Sequence, residues 1–140
     1  MGLIDIYTDG SCLKPNGPSG WAFIGMDRIK TWQYSDGDAN STNNRMELTA
    51  VIEALEFFDE YDYDEYNIHT DSKYVINGIT KWIIKWKSIG WKKVKNIDLW
   101  KRLDENIKNK NIKWTWVKAH NGDKYNEIVD LIARQEAKKI

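Results

Sequence analysis

The sequence predicts an α/β protein built on a five-stranded mixed sheet that is flanked by helices. Three β-rich segments follow one another closely near the N-terminus, which is typical of an antiparallel meander. The later β-rich segments are separated by stretches of helical periodicity, and strands joined through helices usually run parallel. The chain length of 140 residues fits a single domain over residues 1–140.

Each element follows from local periodicity. Alternating β-formers predict the first strand, and Asp9-Gly10 is a turn signal that should end it. Apolar residues at helical spacing after the meander predict an amphipathic helix over residues 43–58. The other predicted elements are strands at 20–26 and 30–35, a polar loop at 35–42, a strand at 65–70, helices at 72–78, 81–88 and 98–107, a strand at 112–117 and a helix at 123–138.

Composition narrows the class of protein. Hydrophobic residues make up 41% of the chain, which is enough for a packed core. No apolar run approaches the roughly 18 residues of a membrane span, and no signal-peptide pattern opens the chain. The single cysteine, Cys12, excludes an internal disulfide and a thiolate zinc site. These features predict a monomeric cytoplasmic protein with no membrane association.

Charge is unevenly distributed although the net charge is zero. Residues 47–71 hold nine acidic side chains and no Lys or Arg, whereas residues 81–118 hold twelve basic and three acidic ones. One part of the surface could therefore attract phosphates while another holds cations. Two solvated helix faces would explain the same pattern equally well.

Four acidic residues stand at positions where a metal site could form: Asp9, Glu47, Asp71 and Asp130. Taken singly, each is explained as a turn former, a helix cap or an exposed helix residue. Two of them, Asp9 and Asp71, end strands that should be neighbours, and ligands gather at strand ends in open α/β sheets. Clustered carboxylates require a cation, and oxygen ligands suit Mg²⁺ or Mn²⁺. Two ions about 3.5–4 Å apart can promote in-line phosphoryl displacement.

Four sequence blocks stand out: Tyr7-Thr8-Asp9-Gly10-Ser11-Cys12, Thr42-Asn43-Asn44-Arg45-Met46-Glu47-Leu48, Thr70-Asp71-Ser72-Lys73-Tyr74-Val75 and Trp116-Val117-Lys118-Ala119-His120-Asn121-Gly122 with Asn126, Glu127 and Asp130. In this order and over most of the chain, they resemble the signatures of type 1 ribonuclease H. The resemblance implies a ribonuclease H-like fold and endonucleolytic hydrolysis of the RNA strand of an RNA·DNA hybrid, leaving 5′-phosphate and 3′-hydroxyl ends. It also implies that the four acidic residues are catalytic ligands of two Mg²⁺ ions, which Mn²⁺ can replace.

The same resemblance assigns roles near the carboxylates. It implies that His120 is catalytic and assists proton transfer or product departure, for which an imidazole is suited near neutral pH. It links Glu127 to product release, although a solvated helix Glu is nearly as good an explanation. The RNA 2′-hydroxyl would be recognised by Cys12, Asn43 and Asn44, with Thr42 and Asn43 holding a DNA phosphate. Alternatively, Asn43 or Asn44 simply caps the helix.

Lysines and tryptophans alternate over residues 81–95, which favours a surface that grips a nucleic-acid backbone. The candidate contacts are Trp82, Lys85, Lys87, Trp91 and Lys92, while Trp86 is expected to be partly core. A small helical unit with buried tryptophans and solvated lysines would produce the same pattern.

Other functions remain open from the sequence. Another nuclease of the ribonuclease H-like superfamily would act on DNA, but would not need the Asn43-Asn44-Arg45 block. A catalytically inactive hybrid-binding module would be expected to lack a carboxylate, and all four are present. A domain of a longer reverse transcriptase is less favoured than a stand-alone protein, because Met1 precedes the first predicted strand.

Overall fold

A computed structural model describes residues 2–140 and contains five strands and five α-helices. The strands are β1 (Leu3–Cys12), β2 (Gly17–Met26), β3 (Thr31–Ser41), β4 (Glu65–Thr70) and β5 (Ile112–Trp116). The helices are α1 (Asn43–Phe58), α2 (Lys73–Asn77), α3 (Ile83–Ser88), α4 (Ile97–Ile107) and α5 (Lys124–Lys138).

The strands form one mixed sheet in the order β3-β2-β1-β4-β5. β1 pairs antiparallel with β2, and β2 pairs antiparallel with β3, whereas β4 runs parallel to both β1 and β5. The predicted fold class is therefore confirmed. The last pair between β1 and β4 is Thr8 with Thr70, so Asp9 and Asp71 follow these paired ends side by side.

The meander is longer than the sequence predicts. β1 does not end at Asp9-Gly10 but continues through Cys12, which pairs with Ser19. The predicted polar loop at 35–42 is wrong, because β3 extends to Ser41 and pairs with β2 over most of its length. Cross-strand hydrogen bonds compensate here for a polar composition that disfavours a strand.

Two layers of helix cover the sheet. On one face, α1 buries Leu48, Ile52 and Leu55, and α4 adds Trp100. On the other face, α5 packs Val129 and Ala133 against β2, where Ala22 and Ile24 are buried. α5 approaches closely because β2 has Gly20 at this point, and a Cβ there would collide with the α5 backbone.

The middle of the chain departs from the two predicted short helices. α2 and α3 are joined by a π-helical turn, Gly78–Trp82, so residues 73–88 form one helical stretch. Trp86 is partly buried and its ring lies 5.0 Å from that of Trp100, as expected for a partly core residue. Among residues 2–140, none of the helices combines the length and apolar character that crossing a membrane requires.

Candidate active site

Three of the four predicted carboxylates lie together where the pairing of β1 with β4 ends. Asp9, Glu47 and Asp71 each offer a carboxylate oxygen, and these oxygens all lie within 4.8 Å of one another. Asp9 lies in β1, Glu47 lies in the second turn of α1, and Asp71 directly follows β4. The spatial cluster that the sequence predicts is therefore present for these three residues.

Glu47 reaches this cluster because β1 and the start of α1 are unusually close. The Gly10 amide donates to Glu47 Oε1 at 2.7 Å and to Asp9 Oδ1 at 2.9 Å. A Cβ at Gly10 would overlap the backbone of Met46 and Glu47, so only glycine permits this approach. Thr42 fixes the beginning of α1, since its hydroxyl accepts from the Arg45 amide at 3.3 Å.

The electrostatics of the cluster favour a bound proton or cation. Burial, together with the charges of Asp71 and Asp130, raises the pKa of Asp9 to about 8. Burial and the charge of Asp9 raise the pKa of Glu47 well above its ordinary value, and burial raises that of Asp71. An oxygen-only donor set of mutually repelling, desolvated carboxylates fits a hard divalent cation.

Asp71 is held by two neighbours that the sequence did not reveal as functional. Asn126, which is only 2% exposed, lowers the pKa of Asp71 with its side-chain amide and so opposes the effect of burial on that carboxyl. The Trp116 indole donates to the Asp71 backbone carbonyl at 3.2 Å. The available signal for Asn126 was its spacing, because it lies one turn before Asp130 on the inner face of α5.

Asp130 approaches the cluster from α5 but is not part of the three-residue group found among residues 2–140. Its Oδ2 lies 3.0 Å from Arg134 Nη2 and 3.9 Å from His120 Nδ1. His120 is in the loop before α5, with a φ of 54° and a side chain 72% exposed. Glu127 is exposed on the first turn of α5.

The predicted 2′-hydroxyl contacts surround a small groove beside the cluster. Cys12, Thr42 and Asn43 line a cavity of about 130 Å³ together with Pro15. The Cys12 thiol donates to the Lys14 carbonyl at 2.6 Å, and this contact orients the side chain. Asn43 and Asn44 are exposed and do not cap α1, because Thr42 does so.

The predicted basic contacts divide into two groups. Trp82, Lys85 and Lys92 line an open cavity of about 370 Å³, and Trp82 is 40% exposed. By contrast, the Lys87 ammonium lies 2.7 Å from Asp104 of α4. Trp91 is partly buried, packing near Trp86 with the Lys101 ammonium 5.9 Å from its ring.

Comparison with known proteins agrees with this architecture. The family model for RNase H matches residues 3–138. A ribonuclease H of Pseudoalteromonas atlantica is 47% identical over 142 aligned residues, covering 98% of this chain and 92% of the relative. The crystal structure of LC9-RNase H1, described as a type 1 RNase H with the type 2 active-site motif, is similar with a TM-score of 0.87 and 26% identity, covering 98% of this chain and 72% of that one. LC11-RNase H1, solved in complex with an RNA/DNA hybrid, shares the fold with a TM-score of 0.74 at 22% identity over 97% of both chains.

Proposed function

The chain belongs to the ribonuclease H family, and we propose that it cleaves the RNA strand of RNA·DNA hybrids with two Mg²⁺ ions, leaving 5′-phosphate and 3′-hydroxyl ends. As a member of this family, the chain is a ribonuclease H, which is a nuclease that uses divalent metal. The observation that carries the proposal is the grouping of Asp9, Glu47 and Asp71 within 4.8 Å. A monomer acting in the cytoplasm remains a prediction of the sequence.

In the proposed mechanism, the carboxylates would hold the metal ions where the pairing of β1 with β4 ends. Asp9, Glu47 and Asp71 would bind them from one side and Asp130 from α5. When bound, the ions would supply Lewis acidity to the attacking water and neutralise charge on the phosphate. The Gly10 amide keeps Glu47 and Asp9 oriented through its two hydrogen bonds, and the Asn126 amide favours the charged form of Asp71.

His120 is proposed to move a proton at the edge of this site. Its imidazole is exposed, and Nδ1 lies 3.9 Å from Asp130 Oδ2, so it can exchange protons with solvent and reach the cluster. An imidazole in this place can protonate the 3′-oxygen as the scissile bond breaks. Glu127 lies seven residues after His120 on the exposed side of α5 and is proposed to assist product release.

Substrate recognition is proposed to use two surfaces. The groove of Cys12, Thr42 and Asn43, with Asn44 exposed beside it, offers small polar groups next to the carboxylates for an RNA 2′-hydroxyl. The cavity lined by Trp82, Lys85 and Lys92 offers cationic and aromatic contacts for the DNA strand. Lys87 and Trp91 would contribute at the rim of this second surface.

The test is cleavage of one end-labelled sequence as RNA·DNA, RNA·RNA, DNA·DNA and single-stranded RNA, with Mg²⁺ and with chelator. We expect cutting of the RNA strand in the hybrid alone, lost with chelator and in the Asp71→Asn variant. Enzymatic end analysis of the fragments should find 5′-phosphates and 3′-hydroxyls.

Two results would overturn the proposal. Tight hybrid binding without cleavage of any substrate would favour an inactive binding module, which the presence of all four acidic residues argues against. Cleavage of DNA·DNA would instead favour the wider group of DNA nucleases with this fold.

A further inference from the structure

Arg134 is a basic residue that contacts the candidate metal site directly. It lies one turn after Asp130 on α5, and its guanidinium Nη2 is 3.0 Å from Asp130 Oδ2. No other Lys or Arg within residues 2–140 forms an ion pair with any of the four carboxylates. In the sequence, Arg134 carries no functional signal, because an Asp and an Arg four residues apart are an ordinary helix pair.

The contact gives Asp130 a different environment from the other carboxylates. Asp9, Glu47 and Asp71 face one another and depend on a proton or cation to offset their repulsion. Asp130 already has a positive partner on its Oδ2, the same oxygen that His120 Nδ1 faces at 3.9 Å. A cation bound through that oxygen must displace the guanidinium or tolerate a like charge a few ångströms away.

We propose that Arg134 competes with divalent cation for Asp130, so that it lowers the metal affinity of the site and balances its charge when no metal is bound. This rests on the proposed function only in taking Asp130 as a metal ligand. Arg134 is 46% exposed, so solvent weakens its effect, and the competition is partial rather than complete. Arg134 is thereby a positioning residue that acts through Asp130.

The test measures binding of Mn²⁺ alone by isothermal titration calorimetry, with no nucleic acid present. Arg134→Gln removes the charge and should tighten Mn²⁺ binding about three- to tenfold, the range expected of a half-exposed like charge near the ion. Arg134→Lys keeps the charge and should bind within about twofold of the unsubstituted protein. Lys139→Gln is the matched control, because it removes a charge paired with Glu136 elsewhere on α5 and should change nothing at the site.

A second readout is thermal unfolding with and without metal. Arg134→Gln should melt lower than the unsubstituted protein in chelator, because the four carboxylates lose their positive neighbour, and should gain more on Mn²⁺ addition. Equal or weaker Mn²⁺ binding by Arg134→Gln would overturn this inference while leaving hybrid cleavage by the unsubstituted protein intact. Absence of that cleavage would instead reject the proposed function, whatever the binding data show.

Discussion

At the scale of single residues, Asp9 carries the strongest conflict between burial and charge. It is 3% exposed and lies beside Glu47 and Asp71, and it forms no ion pair with a Lys or Arg among residues 2–140. The raised pKa of about 8 follows from this environment. An acid whose pKa is higher in the folded than in the unfolded state binds more protons when folded, so folding stability falls as pH rises between the two values.

The first prediction concerns Asp9→Asn in the absence of metal. Between about pH 4 and pH 8 the unsubstituted protein should lose stability as Asp9 is forced to ionise, and the variant should lose less. At pH 8 the variant should be more stable by about 1–3 kcal/mol, since one unit of pKa shift corresponds to about 1.4 kcal/mol. Urea unfolding in chelator at pH 5 and pH 8 measures this.

The control for this measurement is Asp36→Asn, which alters an exposed acid of β3 outside the cluster. It should show no comparable dependence on pH. A stability gain for Asp9→Asn that is equal at both pH values, or a loss at both, would contradict the electrostatic explanation.

At the scale of elements, the site depends on how closely α1 approaches β1. Thr42 caps α1, and the Gly10 amide then meets the carboxylate of Glu47 from the second turn of that helix. The approach requires the absence of a side chain at position 10, because its space is filled by the backbone of Met46 and Glu47. The position of one carboxylate is therefore set by the packing of two backbones.

The second prediction is that Gly10→Ala separates these elements. The overlap should cost about 1–3 kcal/mol in unfolding free energy, as overpacking in a well-packed region does. Metal affinity and cleavage should fall together, because Glu47 moves away from Asp9. Gly90→Ala is the control, since an alanine at its φ of 68° would be strained but its Cβ would meet no neighbour. Loss of cleavage in both variants alike would show that the Gly10 effect is not specific to the site.

At the scale of the whole molecule, the acidic and basic segments of the sequence are partly paired, since Arg102 contacts Glu53 and Glu56 and Lys110 contacts Asp59. The carboxylates gather where the pairing of β1 with β4 ends, whereas lysines with tryptophans surround the cavity formed by the segment after α2. Lys87 differs from its neighbours because its ammonium is paired with Asp104, a residue of which only 9% is exposed. Lysines with similar sequence surroundings therefore have different contacts in the fold.

The third prediction distinguishes these lysines by the salt dependence of hybrid binding. Replacing both Lys85 and Lys92 by Gln should weaken binding and reduce the slope of log affinity against log salt by up to about 2, since each phosphate contact contributes about 0.9. Lys87→Gln should change the slope less and lower stability instead, because Asp104 loses its partner. Fluorescence anisotropy with a labelled hybrid at several salt concentrations, in Ca²⁺ to prevent cleavage, provides the comparison. An unchanged slope in the double variant would favour a merely solvated face.

Much of the architecture was determined by the sequence because it rests on local periodicity. The helical spacing of Leu48, Val51, Ile52, Leu55 and Phe58 predicted α1, and the strand predicted at 65–70 has the range of β4. Asp9 and Asp71 were each predicted to end a strand, and the two strands were expected to be neighbours. This predicted that the two side chains would meet, since parallel strands bring equivalent ends to one edge. Local signals failed for the end of β3, where pairing with β2 outweighs the polar composition of residues 35–41.

Only the tertiary structure decided which partner each functional side chain has. The contacts of Asn126 with Asp71, Arg134 with Asp130 and Lys87 with Asp104 depend on side-chain directions and on distances between elements. The sequence shows that Asp130 and Arg134 share a helix face and can pair. It does not show that their contact lies beside a cluster of carboxylates. Burial and proximity of charges, which raise the pKa of Asp9, arise only when β1, α1 and β4 are packed together.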